Sequence, residues 1–122
     1  MPVGDGTTII YHLIQLADWE AAQASGEIRP DSLAAEGFIH CSGDEKQALA
    51  VAARLYTGRE GMLALEVDTR YLGSPVKREP SRSGEIYPHI YGPLNTSAVR
   101  RVRPMEVDAD GNFHLAGDPG SV

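Results

Sequence analysis

With 122 residues the chain can build one domain but not two independent cores, and a hydrophobic content of 42% excludes global disorder. A net charge of −6 speaks against general nucleic-acid binding, and no apolar run reaches the roughly 20 residues of a membrane helix. The start carries no basic segment followed by an apolar stretch and Cys41 stands alone, so neither a secretory signal nor a disulfide framework is expected, and the cytoplasm is the default location.

In chain order, residues 1–7 read as a flexible start, and Thr8 to Leu13, β-branched and aromatic, as a first strand. Asp18 is placed to cap a short helix running through Gln23, with Gly26 just beyond it. Pro30-Asp31-Ser32 opens a second helical turn that Gly37 closes, and Phe38 to Cys41 is a brief strand. Ser42-Gly43-Asp44-Glu45 has the form of a capping box with Ser42 as the cap. Ala48, Leu49, Ala52 and Leu55, with Val51 and Tyr56, then give a helical apolar stripe that Gly58 ends.

Met62 to Val67 reads as a strand with Leu63, Leu65 and Val67 on one face. Val76 to Glu79 is a short edge strand between two prolines, and Ser81 to Gly84 a polar loop. Ile86 to Tyr91 has strand composition, but Pro88 makes it an edge, a bulge or a rigid approach to a site. Asn95 to Val99 makes a helical turn, and Arg101 to Val107 and Asn112 to Leu115 flank the hairpin turn Asp108-Ala109-Asp110-Gly111. Residues 8–115 form the domain and 116–122 a loose tail. Intervals after Val67 are too short for repeated crossovers, so the fold class is compact α+β rather than a doubly wound parallel sheet.

Two histidine segments carry the candidate chemistry. Strand alternation directs Phe38, His40 and Ser42 one way and Ile39 and Cys41 into the core. A histidine beside a helix N-terminus can neutralise a phosphate or move a proton; the alternative is a structural histidine beside a capping serine. Tyr87, His89 and Tyr91 likewise share a face, a wall for a heterocycle or sugar, with Ile90 turned inward. An aromatic edge strand covering the core is the competing account.

Between Arg70 and Arg103 seven basic residues face two acids, for +5, while the rest of the chain carries −11. That segment is either scattered on solvated faces or a local anion site reached through Arg82. Glu79, near Arg78 and Arg82, can sit ionised beside positive charge, and Glu85 and Glu66 are the other candidate carboxylates. His12, His40, His89 and Cys41 lack the spacing of a zinc motif, so no metal is expected.

The segments Ile10-Tyr11-His12-Leu13, Glu36-Gly37-Phe38-Ile39-His40-Cys41-Ser42 and Pro88-His89-Ile90-Tyr91-Gly92-Pro93-Leu94, together with Glu79, resemble the bacterial family known as domain of unknown function 952. That family looks like a compact relative of the ADP-ribosyltransferase fold, which includes RNA 2′-phosphotransferases. The resemblance implies two small, mostly antiparallel sheets split around a cleft, with two to three helices. The cleft would hold NAD or an ADP-ribosylated intermediate, and His12 is similar to a first-strand histidine of that fold.

These readings combine into one expectation: a cleft for a small anionic or nucleotide-like molecule such as NAD or ADP-ribose, without a metal. Its chemistry would be ADP-ribosyl- or phosphotransferase-like. His40 and Ser42 would contact ribose or phosphate, Tyr87 and Tyr91 would flank the base, His12 and Arg82 would complete the binding set, and Glu79 or His89 would polarise a hydroxyl. The alternative is a non-catalytic binding module that keeps the cleft without the reaction.

Overall fold

The computed structural model describes residues 8–116. The expected flexible start at 1–7 lies outside the described residues, as does the expected tail apart from Ala116. The chain opens with β1 (Ile9–Gln15), α1 (Leu16–Ser25), β2 (Glu27–Ile28), α2 (Asp31–Glu36), β3 (Ile39–His40) and α3 (Glu45–Leu55). It continues with β4 (Met62–Asp68), β5 (Val76–Pro80), β6 (Ile86–Ile90), β7 (Leu94–Asn95), β8 (Val99–Val107) and β9 (Phe113–Leu115). Single 3₁₀ turns lie at Thr69–Tyr71 and Thr96–Ala98.

The α+β class is as expected, and every strand pairing among the described residues is antiparallel. The strands form three sheets rather than two: β1-β4-β8-β9, β3-β6-β5 and the small pair β2-β7. Val67, Leu65 and Leu63 of β4, with Ile10 and Ile14 of β1, pack against Ile39, Cys41 and Ile90 of the three-stranded sheet. The opposite face of β4, through Met62 and Ala64, meets Ala52 of α3 together with Met105 and Phe113. Because β4 is covered on both faces, all seven of its residues are buried, and its sequence is apolar without alternation until Glu66 and Asp68.

One backbone bridge ties the two larger sheets. Tyr11 and Ser42 exchange N–H···O bonds of 2.8 Å each, so the chain leaving β3 reaches the edge of β1 before it turns into α3. This bridge fixes β1 beside the histidines of the three-stranded sheet.

Three local expectations are corrected. Asp18 lies in the first turn of α1 and does not cap it; the helix starts at Leu16, because β1 runs on to Gln15 and feeds directly into it. The cap of α3 is Asp44, which accepts from the Gln47 N–H at 2.8 Å, so Ser42 is two residues too early. Gln47 reaches back to the Gly43 N–H at 2.7 Å, and Glu45 turns instead to Arg103. Pro88 sits in the middle strand of its sheet, not at an edge. An antiparallel residue points its nitrogen and carbonyl at the same neighbour. Pro88 directs its carbonyl to the Cys41 N–H at 3.1 Å, so its missing donor faces the point where β3 has just ended. The stripe on α3 is also narrower than expected, since Leu55 is largely exposed.

Candidate functional site

Six residues singled out in the sequence line one broad cleft: His12, His40, Ser42, Arg82, Tyr87 and His89. Strand alternation accounts for the two histidine segments. Ile39, Cys41 and Ile90 are buried in the core, while His40 and His89 emerge on the opposite face as direct cross-strand partners. Their ring centroids are 5.2 Å apart and nearly perpendicular. Phe38 packs against both rings, stacked on His89 at 4.1 Å and edge-on to His40 at 4.9 Å, which fixes their separation.

Each of these imidazoles is held by a carboxylate. Glu79 lies 2.7 Å from His89 Nδ1 and accepts the Tyr91 hydroxyl at 2.6 Å. The Tyr91 hydroxyl and then His89 pull the Glu79 carboxyl below the usual carboxylate range. An ionised carboxylate has only acceptors, so His89 must donate from Nδ1, and in the neutral ring Nε2 is left as the acceptor. Lys77, the Cα partner of His89 across β5, places its ammonium over the Tyr91 ring at 4.8 Å. On the other strand Glu36, the last residue of α2, meets His40 Nε2 at 3.0 Å. Gly37 makes that contact possible: its left-handed backbone at φ +90° ends α2 and turns the chain into β3.

Neither Glu79 nor Tyr91 is a wall residue of the cleft; they hold His89 at Nδ1. Tyr91 is therefore occupied by Glu79 rather than presented to a ligand face. Of the candidate carboxylates, Glu79 contacts a histidine, Glu66 accepts from Arg103 at 3.2 Å, and Glu85 accepts from Tyr87 Oη at 3.2 Å and Gln47 Nε2 at 3.1 Å. Ser42 is buried in the bridge to Tyr11, and at the start of α3 the Gly43 N–H donates to Gln47 and the Gln47 N–H to Asp44, so two of the donors expected to face an anion are taken by side chains. The basic segment is dispersed. Arg70 pairs with Asp68 at 2.8 Å, Arg100 lies over Tyr71, Arg103 is buried, and of the seven only Arg82 lines the cleft.

His12 is the third imidazole of the wall. It is buried and donates from Nδ1 to the His40 carbonyl at 3.1 Å, so its Nε2 carries no proton in the neutral ring. Burial pushes its pKa down, with the hydrogen bond opposing and nearby His40 adding to the shift. Above the ordinary histidine value of about 6.5, neither folded nor unfolded His12 is charged. Below it the unfolded chain takes up a proton that the folded chain resists, so stability is lost as pH falls from about 6.5 towards the folded value. Urea unfolding at pH 7 and pH 5.5 should therefore show a steeper loss for the wild type than for His12→Asn, which keeps a donor for the His40 carbonyl. The difference in slope should approach but not exceed about 1.4 kcal/mol per pH unit. Parallel slopes would show that His12 is not kept neutral.

Glu36 is the site residue that sequence reading missed. It stands inside the quoted motif, and its signal was a carboxylate four residues before a histidine with a helix-ending glycine between them. Cys41 is buried and its thiol pKa is pushed far up by desolvation, so it stays protonated. Among the described residues no group of three or more His, Cys, Asp or Glu side chains is placed to hold a metal ion. Among the described residues, too, no helix is long and apolar enough to cross a membrane.

Solved structures share this fold. Protein CC0527 of Caulobacter crescentus, in its crystal structure, is 38% identical, with 88% of this chain and 94% of that chain covered and a TM-score of 0.78. Its solution NMR structure gives 39% identity, coverage of 86% and 90%, and a TM-score of 0.74. No curated protein matches. Residues 13–102 match the family described as "Protein of unknown function (DUF952)", a span that contains both histidine segments and Glu79. The chain belongs to the DUF952 family.

Proposed function

We propose that the cleft binds a small anionic, nucleotide-like molecule of the NAD or ADP-ribose class, and that His89 polarises one of its hydroxyl groups in a group-transfer reaction. The observation that carries this reading is the Glu79–His89 contact of 2.7 Å, braced by Tyr91 at 2.6 Å. It sets His89 with Nδ1 as donor and Nε2 as acceptor, the arrangement a general base needs. Arg82 supplies a cation for phosphate, Tyr87 a flat face for a base, and His12, His40 and Ser42 the polar wall between them. β1 adds backbone groups: the Leu13 peptide points to the same side as that of Tyr11, towards the cleft that Leu13 also lines. The family that the three motif segments resemble looks like a compact relative of the ADP-ribosyltransferase fold, which implies the same ligand class.

Thermal unfolding with NAD, ADP-ribose and ADP tests the reading. A ligand at a hundredfold excess over its dissociation constant adds about 2.7 kcal/mol of stability, a shift of several degrees for a domain this size. The expected result is stabilisation of the wild type by at least one of the three, reduced in Arg82→Ala and His89→Ala. No shift with any of them at millimolar concentration would contradict the reading.

A further inference from the structure

The cleft holds two imidazoles each anchored by a carboxylate, and the reading above gives a proton-transfer role to only one of them. His40 and His89 stand side by side with centroids 5.2 Å apart, and each has one nitrogen engaged by its own carboxylate, Glu36 at 3.0 Å and Glu79 at 2.7 Å. With Nε2 of His40 and Nδ1 of His89 engaged by the carboxylates, Nδ1 of His40 and Nε2 of His89 are the nitrogens left for proton exchange. The one cysteine nearby is no nucleophile, since the Cys41 thiol is buried and stays protonated. Such a pair suits a displacement in which a proton leaves the attacking oxygen while another reaches the departing one. Arg82 lines the same cleft as the cation for a phosphoryl group, and Tyr87 as a face for a base.

We propose that His40 and His89 form an acid–base pair that hydrolyses nucleoside 2′,3′-cyclic phosphates, an inference that rests on the cleft being a nucleotide site. A five-membered cyclic phosphodiester is strained, so proton transfer at both ends suffices without a second cation or a covalent intermediate. Water bonds to phosphorus as His89 Nε2 takes its proton. The bond from phosphorus to the 2′ or 3′ oxygen breaks, and that oxygen takes a proton from His40 Nδ1. The product is a 3′ or 2′ nucleoside monophosphate, and one proton passes from His89 to His40 through solvent to reset the pair. Glu36 and Glu79 are positioning residues. The charged and titratable groups around the pair are Glu79, Lys77 and Tyr91 at His89, and Glu36 and His12 at His40.

The test is ³¹P NMR of 2′,3′-cyclic AMP incubated with the full chain in EDTA, alongside thermal unfolding with the same compound. The expected result is conversion to a single monophosphate with a bell-shaped pH–rate profile. His40→Ala and His89→Ala should each lower the rate by about 100-fold or more while remaining folded. Glu36→Gln and Glu79→Gln should displace the two limbs of the profile. Binding of the cyclic nucleotide without conversion would overturn this proposal and leave the nucleotide cleft standing, whereas no binding would remove both. Conversion unaffected by either histidine change would also overturn it.

Discussion

Replacing Arg103 with alanine should destabilise the protein by about 3–5 kcal/mol, the range for removing one partner of a buried ion pair. Arg103 projects from β8 and is only 2% exposed, yet it carries a full charge. Its Nη1 donates to Glu45 of α3 at 2.6 Å and to Glu66 of β4 at 3.2 Å, so one guanidinium joins the helix to the two central strands. Arg101, 3.8 Å from Glu66, is partly exposed and cannot take over that position. Without Arg103 the Glu66 carboxylate stays buried beside a void. Urea unfolding at pH 7 measures the loss, and Arg103→Met with Glu66→Leu should recover most of it, because the charges that then lose a partner, Glu45 and Arg101, are both partly exposed to water. A cost below 1 kcal/mol for Arg103→Ala would show that water reaches this network.

Gly92→Ala should cost about 2–4 kcal/mol, from backbone strain and overpacking together. Gly92 lies at φ +153°, and a Cβ there would overlap the Ser74 side chain, with Ser74 Cβ 2.8 Å away. Ser74 has no easy retreat: its hydroxyl donates to the Pro93 carbonyl at 2.8 Å, and the neighbouring Pro75 carbonyl holds the Tyr91 N–H at 2.8 Å. Adding Ser74→Gly should relieve the overlap but not the strain, returning part of the loss. Because Tyr91 precedes Gly92 and braces Glu79, the single variant should also weaken ligand stabilisation in the cleft. Full stability in Gly92→Ala would mean that the backbone here adapts freely.

Much of the site was legible because strand alternation is a local rule. Ile39, Cys41 and Ile90 point inward and His40 and His89 outward, as two-residue periodicity requires, and the glycines after α1 and α2 mark real helix ends. What sequence could not give was the choice among near-equivalent partners. Ser42 and Asp44 are both good caps, and the bridge to Tyr11, 31 positions away in the chain, takes Ser42 out of contention. Arg103 reads as one more basic residue of a charged segment until β8 is placed beside β4, which carries it under α3. Pro88 reads equally as an edge, a bulge or a rigid approach to a site until the shortness of β3 leaves its nitrogen with nothing to bond inside the sheet. Glu36 needed the turn at Gly37 to be seen as a hinge that folds a helix end back onto its own strand.

The central claim is that Glu79 orients His89 so that Nε2 is offered to a nucleotide-like ligand in a cleft shared with His40. Histidine ¹⁵N NMR reads both halves of it in one sample. In the free protein above pH 7, His89 should show a protonated Nδ1 and a bare Nε2, and Glu79→Gln should abolish that preference. Titration with ADP-ribose should then move the His89 Nε2 and His40 signals together, leaving His114 unchanged. A proton on Nε2 of His89, or no response of either ring at millimolar ligand, would contradict the account.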